Sequence, residues 1–144
     1  MTQVAFHFNV EDRLHHSCRL VRKGIAAGTS LVVTGPWDVL DQFDRALWAL
    51  SATEFLPHCR ASDSDSLVQK SSVLLCESLT GIAARDVLVN LGQTAPDGFE
   101  VFPRVIEVVS TDEAERGPAR LRWKHYAQAG SELVKHDLGA RAAP

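Results

Sequence analysis

Residues 30–33, Ser-Leu-Val-Val, and the turn Thr-Gly-Pro at residues 34–36 decide the fold class of this chain. The run is apolar at consecutive positions, so a strand here is covered on both of its faces rather than on one. The turn leads directly into a helical pattern whose inward face is apolar at Val39, Leu40, Phe43, Ala46 and Leu47. A buried strand followed by an amphipathic helix predicts a parallel sheet with helices packed against it.

The same alternation of strand and helix patterns begins upstream of this unit. Residues 4–8 predict a first strand, and residues 11–27 predict a helix that Gly28 ends. This helix has one apolar stripe, formed by Leu14, Cys18, Val21 and Ile25.

The alternation continues downstream. Strands are predicted at residues 73–76, 86–90 and 103–109, and a last helix at residues 112–129. This order predicts the fold class α/β: a single Rossmann-like layered domain over residues 1–144, with a mostly parallel central sheet flanked by helices. We expect the last residues, from about 137 to 144, to form a flexible tail.

Composition excludes several classes of protein. Of the 144 residues, 45% are hydrophobic and 23% charged, which fits one domain with a substantial core. The 15 Lys and Arg against 18 Asp and Glu give a net charge of −3, which disfavours nucleic-acid binding over the whole surface. No apolar run approaches the roughly 20 residues that span a bilayer, and no signal-peptide pattern is present. The scattered cysteines, Cys18, Cys59 and Cys76, are interpreted as buried thiols of a cytoplasmic protein.

The sequence gives little support for an enzyme. The turn after the first predicted strand lacks glycine, and its Glu11 and Asp12 place carboxylates where a phosphate would bind. Pro36 removes an amide donor from the next turn. His15 and His16 near Cys18 lack the second matched pair typical of zinc sites, so they are interpreted as surface histidines beside a core thiol. No catalytic residue, metal site or cofactor is predicted. The alternative kept open is a small Rossmann-like nucleotide-binding or regulatory enzyme.

The last predicted helix carries an unusual concentration of positive charge. Its segment from residue 116 to residue 126, Arg-Gly-Pro-Ala-Arg-Leu-Arg-Trp-Lys-His-Tyr, has four formal positive charges and no acid. At helical spacing, one face receives Arg116, Arg120, Trp123 and Lys124. Such a face suits carboxylates beside an apolar group, and an acidic peptide fits it better than duplex nucleic acid. The alternative is a solvated basic face near a helix C-terminus.

Pro118, directly after Gly117, is expected either to kink this helix or to restart it. Either outcome puts the place of Arg116 on the cationic face in doubt.

A second group of residues combines large aromatic side chains with a loop. Its members are Trp48, Phe55, Pro57 and His58. Large apolar groups at such a position either pin the loop onto the core or form a docking patch for another protein.

Together, the two groups resemble the chi subunit family of bacterial DNA polymerase III holoenzyme. The resemblance rests on Ala-Leu-Trp at residues 46–48, followed after six residues by Phe-Leu-Pro-His at residues 55–58. It also rests on residues 122–130, Arg-Trp-Lys-His-Tyr-Ala-Gln-Ala-Gly, which have Arg-x-Lys-x-Tyr-x-x-x-Gly spacing.

The resemblance implies a non-catalytic accessory subunit of the clamp-loader assembly. Proteins of this family hold the acidic, Phe-terminated C-terminal tail of single-stranded-DNA-binding protein and link it to the psi subunit; some also pair with a repair helicase. DNA is then contacted only indirectly, and a monomer or a 1:1 heterodimer is expected. Carried over by position, the tail-binding residues are Val109, Arg116, Arg120, Trp123 and Lys124. The residues carried over as docking psi or the helicase are Trp48, Phe55, Pro57 and His58.

Overall fold

Strands and helices alternate along the computed structural model, which describes residues 2–50, 58–60 and 72–139. The elements in chain order are β1 (Gln3–Val10), α1 (Arg13–Ala26), β2 (Leu31–Thr34), α2 (Trp37–Leu50), β3 (His58–Arg60), β4 (Val73–Cys76), β5 (Val87–Asn90), a short 3₁₀ helix (Phe99–Val101), β6 (Arg104–Ser110), α3 (Glu113–Gln128) and β7 (Glu132–Asp137). No helix in this described part is long and apolar enough to cross a membrane.

The strands form one sheet in the order β3-β4-β2-β5-β6-β1-β7. Every neighbouring pair is parallel. All residues of β2, β4 and β5 are buried, as expected for strands with helices on both faces. The predicted α/β class and Rossmann-like layered domain are therefore confirmed, and the described sheet is wholly parallel.

The two faces of the sheet have separate apolar cores, because successive strand residues point to opposite faces. On one face Val33 belongs to the core that includes Cys18 of α1 and Phe43 of α2. On the other face Val32 belongs to the core that includes Tyr126 of α3. Helices α1 and α2 thus cover one face, and α3 covers the other.

Two strands were not predicted from the sequence. Strand β3 forms one edge of the sheet and β7 forms the other. Strand β7 pairs in register with β1 from Gln3↔Glu132 to Phe8↔Asp137. Its residues are exposed or half-buried, so it lacks the apolar run that marks the central strands. Asp137, the first residue of the predicted tail, closes this strand, and residues 140–144 lie outside the described part.

Of the two outcomes expected at Pro118, a kink or a restart of the last helix, the restart is wrong. Helix α3 runs without interruption from Glu113 to Gln128 with Pro118 inside it. Proline removes the hydrogen bond to the carbonyl of Ala114, an exposed residue in the first turn, where water can replace the donor. Residue 117 is a glycine and has no Cβ to clash with the proline ring, so the usual restriction on the residue before a proline is reduced. Arg116 therefore stays on the same helix as Arg120.

Candidate functional site

One side of α3 is fastened to the sheet by buried polar groups. Its inner row consists of Ala119, Arg122 and Tyr126, all buried. Arg122 Nε donates to Glu107 Oε1 on β6 at 2.9 Å, and Tyr126 Oη donates to Glu107 Oε2 at 2.6 Å. Asn90 Nδ2 donates to the same Oε2 at 2.8 Å. The carboxylate is therefore satisfied on both oxygens inside the core.

The electrostatics of this network are those of a buried ion pair. Burial raises the pKa of Glu107, while Arg122, Tyr126 and Asn90 oppose that rise by favouring the anion. Burial and the adjacent carboxylate raise the pKa of Tyr126, so its hydroxyl remains a donor at neutral pH. The two hydrogen bonds that Arg122 and Tyr126 of α3 donate to this carboxylate fix the rotation of α3 about its own axis. This rotation sets the direction of the outer row of the helix, which consists of Arg116, Arg120, Trp123 and Lys124.

The opposite side of α3 borders a cavity of about 410 Å³. We name it the cationic cavity; it is lined by Phe6, Phe8, Val109, Arg116, Ala119, Arg120, Trp123, Lys124 and Lys135. All five residues predicted for tail binding are in this set, including Arg116, which the sequence had left in doubt. The structure thus brings the predicted group together, at the end of the sheet formed by β6, β1 and β7.

The floor and one wall of the cationic cavity are apolar. Phe6 and Phe8 project from β1, and Val109 from the end of β6. The Trp123 ring packs edge-on against Phe6 with centroids 5.0 Å apart. Aromatic pairs of this geometry are favourable, so Phe6 and Trp123 together form an apolar part of the lining.

The rim of the cationic cavity carries positive charge. Arg116 Nη1 and Arg120 Nη1 lie 3.8 and 3.9 Å from the two oxygens of Glu113. The side chains of Arg116, Arg120 and Glu113 are 40%, 64% and 72% exposed, so these pairs are weak and screened by solvent. An incoming carboxylate can therefore compete with Glu113 for both guanidinium groups.

Sequence reasoning missed Phe6, Phe8 and Lys135. The two phenylalanines had a usable signal, because residues two apart in a predicted strand share a face. Lys135 had none, since β7 itself was not predicted and its place depends on pairing with β1, far away in sequence.

The second predicted group is only partly described. Trp48 lies near the end of α2 with 48% of its surface exposed. His58 opens β3, the edge strand at the opposite end of the sheet from β7. Phe55 and Pro57 lie outside the described residues, as do the contacts of the His58 side chain.

The carboxyl edge of the sheet, where nucleotides bind in related folds, has a cavity whose lining includes the carboxylates of Glu11, Asp12, Asp112 and Glu115, which disfavours a phosphate. Arg13 Nε donates to the carbonyl of Val108 at 2.8 Å. Asp12 caps α1 by accepting the His15 amide at 3.0 Å, so this helix start already holds a carboxylate. A Cβ on Gly35 would lie 3.3 Å from Leu91, so packing against that residue accounts for this glycine without a phosphate.

Cys18 is buried, and burial raises the pKa of its thiol to about 12, which confirms its interpretation as a core thiol. Among the residues that the structure describes, no three His, Cys, Asp or Glu side chains are grouped to hold a metal ion.

The fold and the site define a Rossmann-like α/β domain whose cationic cavity lies beside the terminal helix rather than at a phosphate-binding turn. The chain belongs to the DNA polymerase III chi subunit (HolC) family, whose model matches residues 1–134. It is 29% identical to the DNA polymerase III subunit chi of Pseudomonas aeruginosa over 143 residues, covering 96% of this chain and 98% of that protein. It is 28% identical to the DNA polymerase III subunit chi of Haemophilus influenzae over 98 residues, which cover 68% of this chain and 67% of that protein. It is also 28% identical to the DNA polymerase III subunit chi of Escherichia coli over 92 residues, which cover 64% of this chain and 62% of that protein.

Proposed function

We propose that this chain is a non-catalytic accessory subunit of the polymerase III clamp-loader assembly that binds the acidic C-terminal tail of single-stranded-DNA-binding protein. The observation that carries the proposal is the cationic cavity, where an apolar floor is bordered by Arg116, Arg120 and Lys124. Such a subunit acts in the cytoplasm, where the chromosome is copied.

Shape and charge select the ligand together. The terminal ring of the tail enters the cavity beside Trp123, and its carboxylates meet the cations of the rim. A volume of about 410 Å³ is that of a small-ligand pocket and accommodates a peptide end rather than a folded surface. A short peptide on an exposed rim is expected to bind with micromolar affinity, about −8 kcal/mol, and to weaken as salt rises.

Weak binding of single tails is sufficient for this role. Single-stranded-DNA-binding protein presents several tails on one strand of coated DNA, and the second contact then forms at a high effective concentration. The subunit reaches DNA through its partner, which agrees with its net charge of −3.

The position of His58 supports a bridging role. The cationic cavity lies at the β7 edge of the sheet, and His58 lies on β3 at the other edge. Six strand spacings separate the two edges, roughly 29 Å. We propose that His58, together with Trp48, Phe55 and Pro57, docks the psi subunit or a repair helicase away from the cationic cavity, in a 1:1 heterodimer. Both partners can then be held at once.

Tail binding is tested by calorimetric titration with a peptide of the acidic, Phe-terminated tail. Arg120→Glu reverses a charge on the rim and is expected to weaken binding about tenfold or more, a loss of about 1.4 kcal/mol or more. The matched control is Arg45→Glu, a charge reversal of an 80% exposed arginine on α2, across the sheet from the cavity. If both variants bind as tightly as wild type, the assignment of the cavity is wrong.

Docking away from the cationic cavity is tested by co-elution with psi or the helicase. Trp48→Ala removes a large half-exposed side chain from α2 and is expected to abolish co-elution while leaving tail affinity unchanged. Full retention of the partner by a folded Trp48→Ala protein would remove Trp48 from the docking surface.

A further inference from the structure

Lys135 on β7 contributes a positive charge to the lining of the cationic cavity. It lies on β7 opposite Phe6 of β1, and its Nζ is 5.0 Å from the centroid of the Trp123 ring. A cation at this distance from an indole is attracted to the ring face, so the ammonium group is held beside the cavity. The Arg and Lys side chains of α3 reach the cavity from the helix, whereas Lys135 reaches it from the sheet edge.

The rim cations differ in the anions they already face. Arg116 and Arg120 share the carboxylate of Glu113. Lys135 is exposed to solvent, and within the described residues its ammonium group forms no ion pair. Its ammonium group therefore meets an arriving carboxylate without displacing another one.

We propose that Lys135 binds the terminal α-carboxylate of a ring-tipped acidic peptide, and that Arg116 and Arg120 bind the acidic side chains preceding it. This inference rests on the proposed function and adds the orientation of the peptide. The α-carboxylate of a C-terminal aromatic residue is only three bonds from its ring. A ring held against Trp123 therefore places that carboxylate near the Nζ that lies over the same indole. The rest of the peptide leaves the cavity past the two arginines.

The experiment compares two proteins with two peptides. Wild type and Lys135→Met are each titrated with the Phe-terminated acidic peptide, once with a free carboxylate and once with a terminal amide. Methionine keeps an unbranched apolar side chain against Trp123 and removes only the charge. The matched control is Lys23→Met on α1, an exposed lysine on the helix layer across the sheet.

We expect amidation to weaken binding to wild type about fivefold, as for an exposed ion pair of roughly 1 kcal/mol. Lys135→Met should lose a similar factor with the free carboxylate and almost nothing with the amide, and Lys23→Met should behave as wild type. Equal losses with both peptides, or none, overturn the assignment of Lys135. If wild type binds neither peptide, the proposed function itself fails, and this result is distinguishable from the others.

Discussion

Arg120 and Arg122 lie two residues apart on the same helix and have opposite environments. Arg122 is 4% exposed and its Nε lies 2.9 Å from Glu107, whereas Arg120 is 64% exposed and lies 3.9 Å from Glu113. Two residues advance an α-helix by about 200°, so one arginine faces the sheet and the other faces solvent. The direction in which each side chain leaves the helix, rather than the local density of charge, therefore decides which arginine stabilises the fold and which one is available to a partner.

The two arginines nevertheless depend on each other. Glu107 holds the inner row of α3 through Arg122 and Tyr126, and this contact turns the outer row toward β1 and β7. An exposed arginine stays available to a ligand because solvent weakens its ion pair within the protein. A buried arginine cannot leave its partner, because the free energy lost on removing its charge from water must be compensated.

The largest expected difference between the inner and the outer row comes from replacing the carboxylate that faces each of them by an amide. Glu107→Gln leaves the Arg122 guanidinium buried without its counter-charge and is expected to lower the free energy of unfolding by about 3–5 kcal/mol. Glu113→Gln, the matched control at a 72% exposed position, should change it by no more than about 0.5 kcal/mol. Urea denaturation measures both. Equal unfolding free energies for the two variants would contradict the division between an inner and an outer row.

Peptide titration of Glu113→Gln measures how strongly this carboxylate competes for the two exposed arginines. Removing the carboxylate that Arg116 and Arg120 share is expected to tighten binding of the acidic tail peptide about two- to fivefold. The gain should disappear at about 1 M salt, where the Debye length is about 3 Å. A loss of affinity in this variant would show that Glu113 supports the site rather than competing for it.

Sequence reasoning identified the outer row because helical period is a local property. The spacing of Arg120, Trp123 and Lys124 was sufficient to place them on one face, whereas Arg116 stayed in doubt until α3 proved to be continuous. The parallel sheet followed from continuous apolar runs. The restart considered at Pro118 did not occur, and the hydrogen bond that the proline removes falls in the exposed first turn of the continuous helix.

The partners of these residues could not be predicted in the same way. Glu107 appeared as a charged position in a strand, and only the packing of α3 against β6 shows that it is fully buried. Lys135 reaches the cationic cavity because β7 pairs with β1, more than a hundred residues away along the chain. Contacts of this kind depend on the whole fold, and periodicity within one segment carries no information about them.

The indole N–H resonances of the three tryptophans report directly whether the acidic peptide binds in the cationic cavity. Trp123 lines the cationic cavity, whereas Trp37 and Trp48 lie on α2, which covers the opposite face of the sheet. During titration with the Phe-terminated acidic peptide, we expect the Trp123 indole resonance to shift and saturate while the other two stay in place. A saturable shift of Trp37 or Trp48 with an unmoved Trp123 would contradict the account, because the peptide would then bind elsewhere.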